Sequence, residues 1–169
     1  MATLHECADG TRLVFIKGAV ERRATYAAVT ACREAGVEVK MITGDHPATA
    51  RAIADRFGLT TAATVTRQDL RDLPAERLRR LVGETSVFAT VSPEQKLTLV
   101  DALQHKEHGV AMTGDGVNDA PAQRRADIGV AMGRGGTEVA KQAADMVLAN
   151  DPRRYHVCQS CPPRSCGST

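Results

Sequence analysis

Short apolar runs rich in β-branched residues alternate along the chain with longer segments in which apolar residues recur at helical spacing. This alternation is typical of βαβ units, in which helices cover both faces of a parallel sheet. The apolar runs predict strands at 37–42, 86–89, 109–112, 128–132 and 146–148. With right-handed crossovers, these elements predict an α/β fold built on a Rossmann-like, doubly wound parallel sheet.

Turn and capping residues mark the limits of two predicted helices. Pro47 opens a helix that runs to Phe57, and Gly58 supplies the left-handed residue that ends it. The order Ser-Pro-Glu-Gln at 92–95 is that of a capping box, which starts a second helix running to about Gln104.

The two ends of the chain differ from its middle. Within residues 1–23, a turn at Asp9-Gly10 precedes a β-rich run at 11–16, which predicts part of a hairpin. Residues 151–169 contain three prolines and three cysteines without apolar periodicity, which predicts a disordered tail. His156 and these cysteines have a spacing that zinc tolerates, but an incidental cysteine-rich tail is the favoured interpretation. The chain is therefore divided into 1–23, 24–150 and 151–169.

Composition and charge exclude several kinds of partner. The 22 basic and 20 acidic side chains leave a net charge of +2, and aromatic residues make up only 3%, which disfavours nucleic-acid binding. No apolar run approaches the roughly 20 residues that cross a bilayer, and the first residues lack the features of a signal peptide. Five cysteines, an odd number, favour a reducing compartment. We expect a cytoplasmic chain that binds no nucleic acid.

The triplet Thr-Gly-Asp occurs twice, at 43–45 and at 113–115, each time directly after a predicted strand. Ligands of open α/β sheets bind beyond the carboxyl ends of the strands, so both triplets are expected to line one crevice. A hydroxyl, a glycine and a carboxylate suit a phosphate and a hard divalent cation. A single triplet would be explained as well by ordinary turn chemistry, but two copies at equivalent strand ends favour a site.

The second triplet continues into a loop that is rich in oxygen ligands. Asp115, Asn118 and Asp119 follow one strand end, with Gly116 between them for a tight turn. Two carboxylates held close together repel unless a cation lies between them, and magnesium is the simplest occupant. Lys96 lies about one turn into the helix that Ser92 starts, from where it could project to the same rim. The alternatives are a loop that only caps the next helix and a solvated lysine.

These motifs resemble the phosphorylation domain of P-type cation-transporting ATPases, a domain with a haloacid dehalogenase-like fold. The resemblance covers 24–150 and is carried by Met41–Ala50, by Met112–Pro121 and by the runs that follow to residue 150. The sequence of Gly136–Lys141 is similar to that of the calcium, sodium and proton pumps. The short motif at 17–19 resembles the adenine pocket of the same family's nucleotide-binding domain, so 1–23 is expected to be a remnant of that domain.

The resemblance implies ATP as ligand and assigns residues to its binding. Thr43 and Gly44 would contact the phosphoryl group, and Asp45 would lie near the nucleotide at the domain hinge. Lys17 would lie against the adenine. Thr90 occupies the position where the family usually has an arginine, which removes one expected nucleotide contact.

The resemblance also implies a catalytic and metal-binding set. Asp115 would ligate Mg²⁺, and Asn118 and Asp119 would complete the shell of phosphate and metal. Lys96 would stabilise the charge of the phosphoryl group. Lys96 and Asp119 are the residues with an expected catalytic role.

The departures from the family concern the chemistry itself. The Asp-Lys-Thr-Gly-Thr sequence that supplies the nucleophilic aspartate does not occur in this chain, and the transmembrane helices and the actuator domain are absent. In the family, the strand leading to that aspartate lies between the strands that end here at Ile42 and Met112. The sheet is therefore expected to be incomplete, with either a gap or two apolar strands paired in a new register, and with the run at 13–16 as a substitute edge strand.

Three functions follow from these observations. The chain is expected to be a part of a cation-transporting ATPase that binds Mg²⁺ and phosphate and reaches the membrane only through the missing segments. One alternative is a non-catalytic module that binds Mg²⁺ and nucleotide phosphate and associates with an intact pump to regulate it. The other is a soluble phosphatase of the same superfamily that uses Asp9 as its carboxylate.

Overall fold

The computed structural model describes residues 2–7, 23–59, 63–105, 109–133 and 135–148, and for residues 2–7 and 23–25 it describes the backbone only. The strands are β1 Ala2–Cys7, β2 Val37–Ile42, β3 Val65–Thr66, β4 Val87–Ala89, β5 Ala111–Gly114, β6 Ile128–Met132 and β7 Met146–Leu148. The helices are α1 Arg23–Glu34, α2 Pro47–Arg56, α3 Ala75–Glu84, α4 Pro93–Gln104, α5 Ala120–Arg125 and α6 Glu138–Ala143. The described part of the chain contains no helix with the length and apolar character that a bilayer span requires.

The structure confirms the predicted strands and the predicted start and stop residues of the helices. All five predicted strands are present, and those at 37–42, 128–132 and 146–148 have the predicted bounds. Gly58 has a φ of +64° just after α2, as a left-handed stop requires. At the start of α4, the Gln95 N–H donates to Ser92 Oγ at 3.3 Å and the Ser92 N–H donates to Gln95 Oε1 at 3.2 Å. The capping box is therefore formed in both directions.

The strands form one sheet in the order β3-β4-β2-β1-β5-β6-β7. Strands β3, β4 and β2 are mutually parallel, as are β5, β6 and β7, which confirms the α/β class and the Rossmann-like parallel arrangement in two blocks of three strands. Strand β1 is the exception, because it runs antiparallel to both β2 and β5. The prediction of a parallel sheet throughout missed this strand.

Strand β1 lies between β2 and β5 in the middle of the sheet, where the sequence predicted either a gap or a new pairing of two apolar strands. It pairs with β2 in six register positions, from Ala2 opposite Ile42 to Cys7 opposite Val37. With β5 it shares one register position, Leu4 opposite Met112. The run at 13–16, predicted as the substitute strand, lies outside the described residues, and the strand that fills the gap is β1.

Strand β1 also bears on the predicted division of the chain. The remnant of a separate domain predicted at 1–23 begins with residues that pair inside this sheet. Residues 8–22 and the predicted tail at 151–169 lie outside the described part, so the division into domains stays a prediction.

Two apolar cores lie on opposite faces of the sheet and meet at β2. Ile42 and Phe88 belong to the core formed with α3, α4 and α5. Met41 and Val87 belong to the core formed with α1 and α2. All four side chains are completely buried, and burying each large one contributes about 1.5–3 kcal/mol. The end of β2, and hence Thr43, is fixed from both faces.

Candidate functional site

Both Thr-Gly-Asp triplets lie at the same edge of the sheet. Strands β2 and β5 run antiparallel to the strand between them and therefore end at the same side. Because neighbouring strands are about 4.8 Å apart, the ends of β2 and β5 are separated by about 10 Å. The loops 43–45 and 115–119 therefore lie at the edge where the sequence predicts the crevice.

The first loop closes on itself through the hydroxyl of Thr43. This hydroxyl donates to Asp45 Oδ2 at 2.8 Å and accepts from the Asp45 N–H at 3.1 Å. Thr43 is buried, whereas Gly44 and Asp45 are exposed. Nothing lies within 4 Å of the position that a Cβ on Gly44 would take. The loop therefore has open space beside the Gly44 backbone.

The backbone at 88–91 holds this loop in place. The Thr43 N–H donates to the Phe88 carbonyl at 2.9 Å, and the Val91 N–H donates to the Thr43 carbonyl at 3.1 Å. The Thr90 N–H donates to the Asp45 carbonyl at 3.0 Å. Thr90 has a φ of +54°, which is strained for a β-branched residue. Sequence reasoning noted only the side chain of Thr90 and missed that its backbone supports the loop.

The second loop is connected to α4 by the ion pair between Asp119 and Lys96. Lys96 Nζ lies 2.5 Å from Asp119 Oδ1, and the two side chains are only 11% and 4% exposed. The other oxygen of Asp119 accepts from the Gly116 N–H at 3.3 Å. Both residues with an expected catalytic role are therefore in contact, and Lys96 is not a solvated lysine. Removing one partner from so buried a pair leaves an uncompensated charge.

Gly114 allows Asp119 to approach the end of β5. A Cβ on Gly114 would lie 2.3 Å from the Cβ of Asp119 and 2.8 Å from its Cγ. These distances are shorter than any real contact, so only glycine fits between the strand and this aspartate. The two glycines of the twin triplets thus differ, because Gly44 faces open space.

The second loop carries the carboxylates that the sequence predicts as Mg²⁺ ligands. Asp115 is half-buried and Asn118 is exposed, and the Asp115 carbonyl accepts from the Thr137 N–H at 2.8 Å. Among the described residues, no three His, Cys, Asp or Glu side chains form a metal-binding group. Mg²⁺ is usually held by one or two carboxylates together with waters and substrate phosphate, and Asp115 and Asp119 supply that number.

Gln123 links the second loop to two strands, and sequence reasoning missed it. Its completely buried side chain donates from Nε2 to the carbonyls of Gly114 and Val130, at 3.0 Å and 2.8 Å. Its Oε1 and the hydroxyl of Thr113 are buried without a hydrogen-bond partner among the described residues. The signal available in the sequence was a glutamine within a predicted α/β region. Its partners are backbone carbonyls, which no sequence pattern reveals.

Two carboxyl groups, those of Asp69 and Glu94, have altered pKa values. Hydrogen bonds from the hydroxyl and the backbone N–H of Thr66 lower the pKa of Asp69. The hydrogen bond of the Ser92 side chain lowers the pKa of Glu94 in the first turn of α4. Lys17, the predicted adenine contact, and Asp9, the alternative nucleophile, lie outside the described residues.

Comparison with known proteins places this arrangement in a family. The sequence model of the haloacid dehalogenase-like hydrolase family matches residues 17–127 of this chain. The probable cation-transporting ATPase F of Mycobacterium tuberculosis (strain ATCC 25618 / H37Rv) is 60% identical over 136 residues, covering 77% of this chain and 15% of that protein. Cation-transporting ATPase pma1 of Synechocystis sp. is 54% identical over 149 residues, covering 83% and 16%.

A calcium-transporting ATPase of Bacillus subtilis is 52% identical over 126 residues, covering 73% of this chain and 14% of that protein. The chain thus spans 14–16% of the length of these curated relatives. The resemblance to cation-transporting ATPases inferred from the motifs is confirmed by these matches.

Proposed function

Because the chain belongs to the haloacid dehalogenase-like hydrolase family, we propose that it is the part of a P-type cation pump's phosphorylation domain that binds phosphate with Mg²⁺. The observation that carries the proposal is the buried pair of Lys96 and Asp119 at the strand edge that also carries Thr43. A surface lysine would be solvated, whereas this side chain is only 11% exposed and is paired with Asp119. ATP is the proposed source of the phosphate.

Each loop contributes a different part of the binding. The Lys96 ammonium offers positive charge to a phosphoryl oxygen while it remains beside Asp119. The exposed Gly44 backbone gives an anion close access to the first loop. Asp115 and Asp119 would hold Mg²⁺, which when bound neutralises phosphate charge. Asp45, whose carboxylate accepts from the Thr43 hydroxyl, would lie near the nucleotide at the domain hinge.

We further propose that the chain forms no aspartyl-phosphate. Two observations support this: the Asp-Lys-Thr-Gly-Thr sequence is absent, and the place beside β2 and β5 is occupied by an antiparallel strand. A parallel strand would bring its carboxyl end, and any residue after it, to the crevice. Strand β1 brings its amino end there instead, so the remaining groups position a phosphate without attacking it.

Calorimetry tests the binding proposal. Mg²⁺ together with inorganic phosphate should bind, whereas Mg²⁺ alone should bind weakly. The substitutions Asp119→Asn and Lys96→Met should weaken joint binding several-fold, while Asp55→Asn and Lys141→Met, which alter exposed or surface-paired groups, should leave it unchanged. Equal binding by Asp119→Asn and the parent chain would contradict the proposal.

A second candidate function is a non-catalytic module that regulates an intact pump. It is favoured by β1, which completes the sheet and lets the chain hold a phosphate site without the missing segment. The candidate would act at the cytoplasmic face of the membrane in association with such a pump. Labelling with γ-³²P-ATP separates the candidates from a phosphatase that uses Asp9: acid-stable label that disappears in Asp9→Asn would favour the phosphatase.

A further inference from the structure

Arg67 directly follows strand β3, at the same edge of the sheet as the two site loops. Strands β3, β4 and β2 are mutually parallel, so their carboxyl ends share this edge. The Arg67 side chain is exposed, and it takes part in none of the ion pairs formed among the described residues. Its positive charge is therefore available to a ligand at this edge.

The register of β4 with its two neighbours places Arg67 level with the open backbone of Gly44. Continued past the strand ends, the register sets Arg67 on one side of Thr90 and Gly44 on the other. Two hydrogen bonds agree with this placement: the Arg67 N–H donates to Thr90 Oγ1 at 3.3 Å, and the Thr90 N–H donates to the Asp45 carbonyl at 3.0 Å. Because neighbouring strands are about 4.8 Å apart, the backbones of Arg67 and Gly44 are about 10 Å apart.

The backbone of Arg67 is held on both sides, while its side chain is long. Gln95 Nε2 donates to the Arg67 carbonyl at 3.0 Å, so both polar backbone groups of this residue are bonded. Thr90, between Arg67 and Gly44, is uncharged, and its hydroxyl donates to the Ala89 carbonyl at 2.7 Å. A guanidinium presents a fixed fork of donors that matches phosphate oxygens in pairs. An anion beside Gly44 that extends towards β3 therefore meets the Arg67 side chain.

Two carboxylates in the neighbourhood of Arg67 leave its charge unneutralised. The Ser92 hydrogen bond is the main cause of the lowered pKa of Glu94, and the positive charge of Arg67 lowers this pKa further. The carboxylate of Asp69 accepts from the N–H and the hydroxyl of Thr66, at 2.8 Å and 2.6 Å. Both acids are exposed, so water screens their attraction for the guanidinium.

A second cation lies on the other side of Gly44. Lys96 Nζ is paired with Asp119 of the loop after β5, so the sheet order puts Gly44 between this pair and Arg67. A single phosphate reaches only one of these positions, whereas a linear polyphosphate extends from one towards the other. We propose that Arg67 binds the inner phosphates of a nucleoside triphosphate whose terminal phosphate lies at Gly44 and Lys96. The inference rests on the proposed function and assigns the residue that selects a polyphosphate chain over inorganic phosphate.

Calorimetry with inorganic phosphate and with inorganic triphosphate, each together with Mg²⁺, tests this assignment without the adenosine part of a nucleotide. Arg67→Gln removes the charge and keeps the backbone groups that bond Thr90 and Gln95, and Arg67→Lys keeps the charge without the fork of donors. The matched control is Arg71→Gln, which removes another exposed arginine four residues further along the chain. Urea unfolding verifies that each variant is folded.

The parent chain should bind triphosphate more tightly than phosphate. Arg67→Gln should weaken triphosphate binding several-fold and leave phosphate binding unchanged, Arg67→Lys should recover part of the loss, and Arg71→Gln should bind as the parent does. Triphosphate binding by Arg67→Gln that equals the parent's, or a loss that is equal for phosphate or equal in Arg71→Gln, would overturn the assignment and leave the phosphate site in place. A parent chain that binds neither anion would overturn the proposed function, and the inference with it.

Chemical labelling of the unaltered chain gives a second test that does not depend on the folding of a variant. Phenylglyoxal modifies exposed arginines, and peptide mass spectrometry identifies the modified positions. Mg²⁺ with inorganic triphosphate should protect Arg67 and leave Arg71 reactive, whereas Mg²⁺ with inorganic phosphate should protect neither. Labelling of Arg67 that triphosphate does not reduce would overturn the proposal.

Discussion

Replacing Gly114 with alanine adds one methyl group at the point where Asp119 lies against the end of β5. That methyl group would lie 2.3 Å from the Asp119 Cβ, so either the strand end or the loop must move. Overpacking of this kind costs about 1–3 kcal/mol, and up to about 5 kcal/mol if Asp119 is displaced and leaves Lys96 unpaired in a buried position. Against a total stability of about 5–15 kcal/mol, this loss is large.

Gly44→Ala is the matched control, because Gly44 occupies the same position in the other Thr-Gly-Asp triplet. An added Cβ there meets nothing within 4 Å. The alanine should therefore leave stability unchanged or raise it by about 0.4–1 kcal/mol through the unfolded chain. Both variants would be unfolded in urea and followed by circular dichroism, with equal slopes as the check on comparability. A difference between them of less than about 0.5 kcal/mol would refute the packing argument.

Three further predictions concern the surroundings of the site. Lys96→Met should lower the free energy of unfolding by about 3 kcal/mol because it leaves Asp119 buried without its partner. Lys141→Met, at a surface pair, should lower it by less than about 1 kcal/mol, and urea unfolding of the two variants measures the difference. Thr90→Gly should be more stable than Thr90→Val by about 1–2 kcal/mol in the same assay, since both lose the hydroxyl but only valine keeps a β-branched residue at positive φ. Hydrogen bonds lower the folded-state pKa of Asp69 below 3.8, so its contribution is present above pH 3.8 and is lost as the pH falls through the folded-state pKa. Asp69→Asn should therefore weaken the acid dependence of unfolding below about pH 4, and an acid profile identical to that of the parent chain would contradict this.

The parts of the fold that could be predicted are those in which local chemistry and tertiary packing agree. Val37–Ile42 is an apolar run between turn residues, and Ser92 and Gln95 cap α4 through contacts three residues apart. Strand β1 could not be predicted in the same way. Six residues, Ala2–Cys7, carry a weak pattern, and their position depends on pairing with β2, thirty to forty residues further along the chain.

The site was predictable to a similar degree. Both loops were identified from the predicted ends of β2 and β5. Lys96, one turn into α4, was expected to project to the same rim, and in the structure it contacts Asp119. The support given by Gln123 was not predictable, because it depends on the carbonyls of two neighbouring strands. The difference between Gly44 and Gly114 depends on tertiary contacts, and the repeated sequence conceals it.

The ion pair of Lys96 and Asp119 involves residues that follow different halves of the sheet, the block β3-β4-β2 and the block β5-β6-β7. By chain order α4 follows β4 of the first block, and Asp119 follows β5 of the second, with β1 as the sheet's own link between them. Lys96 and Asp119 therefore link α4 to the loop after β5, in addition to the shared apolar core and the ion pair of Asp101 with Arg125. The charge balance of the second loop therefore depends on a residue twenty-three positions earlier in the chain, supplied by the helix that follows β4.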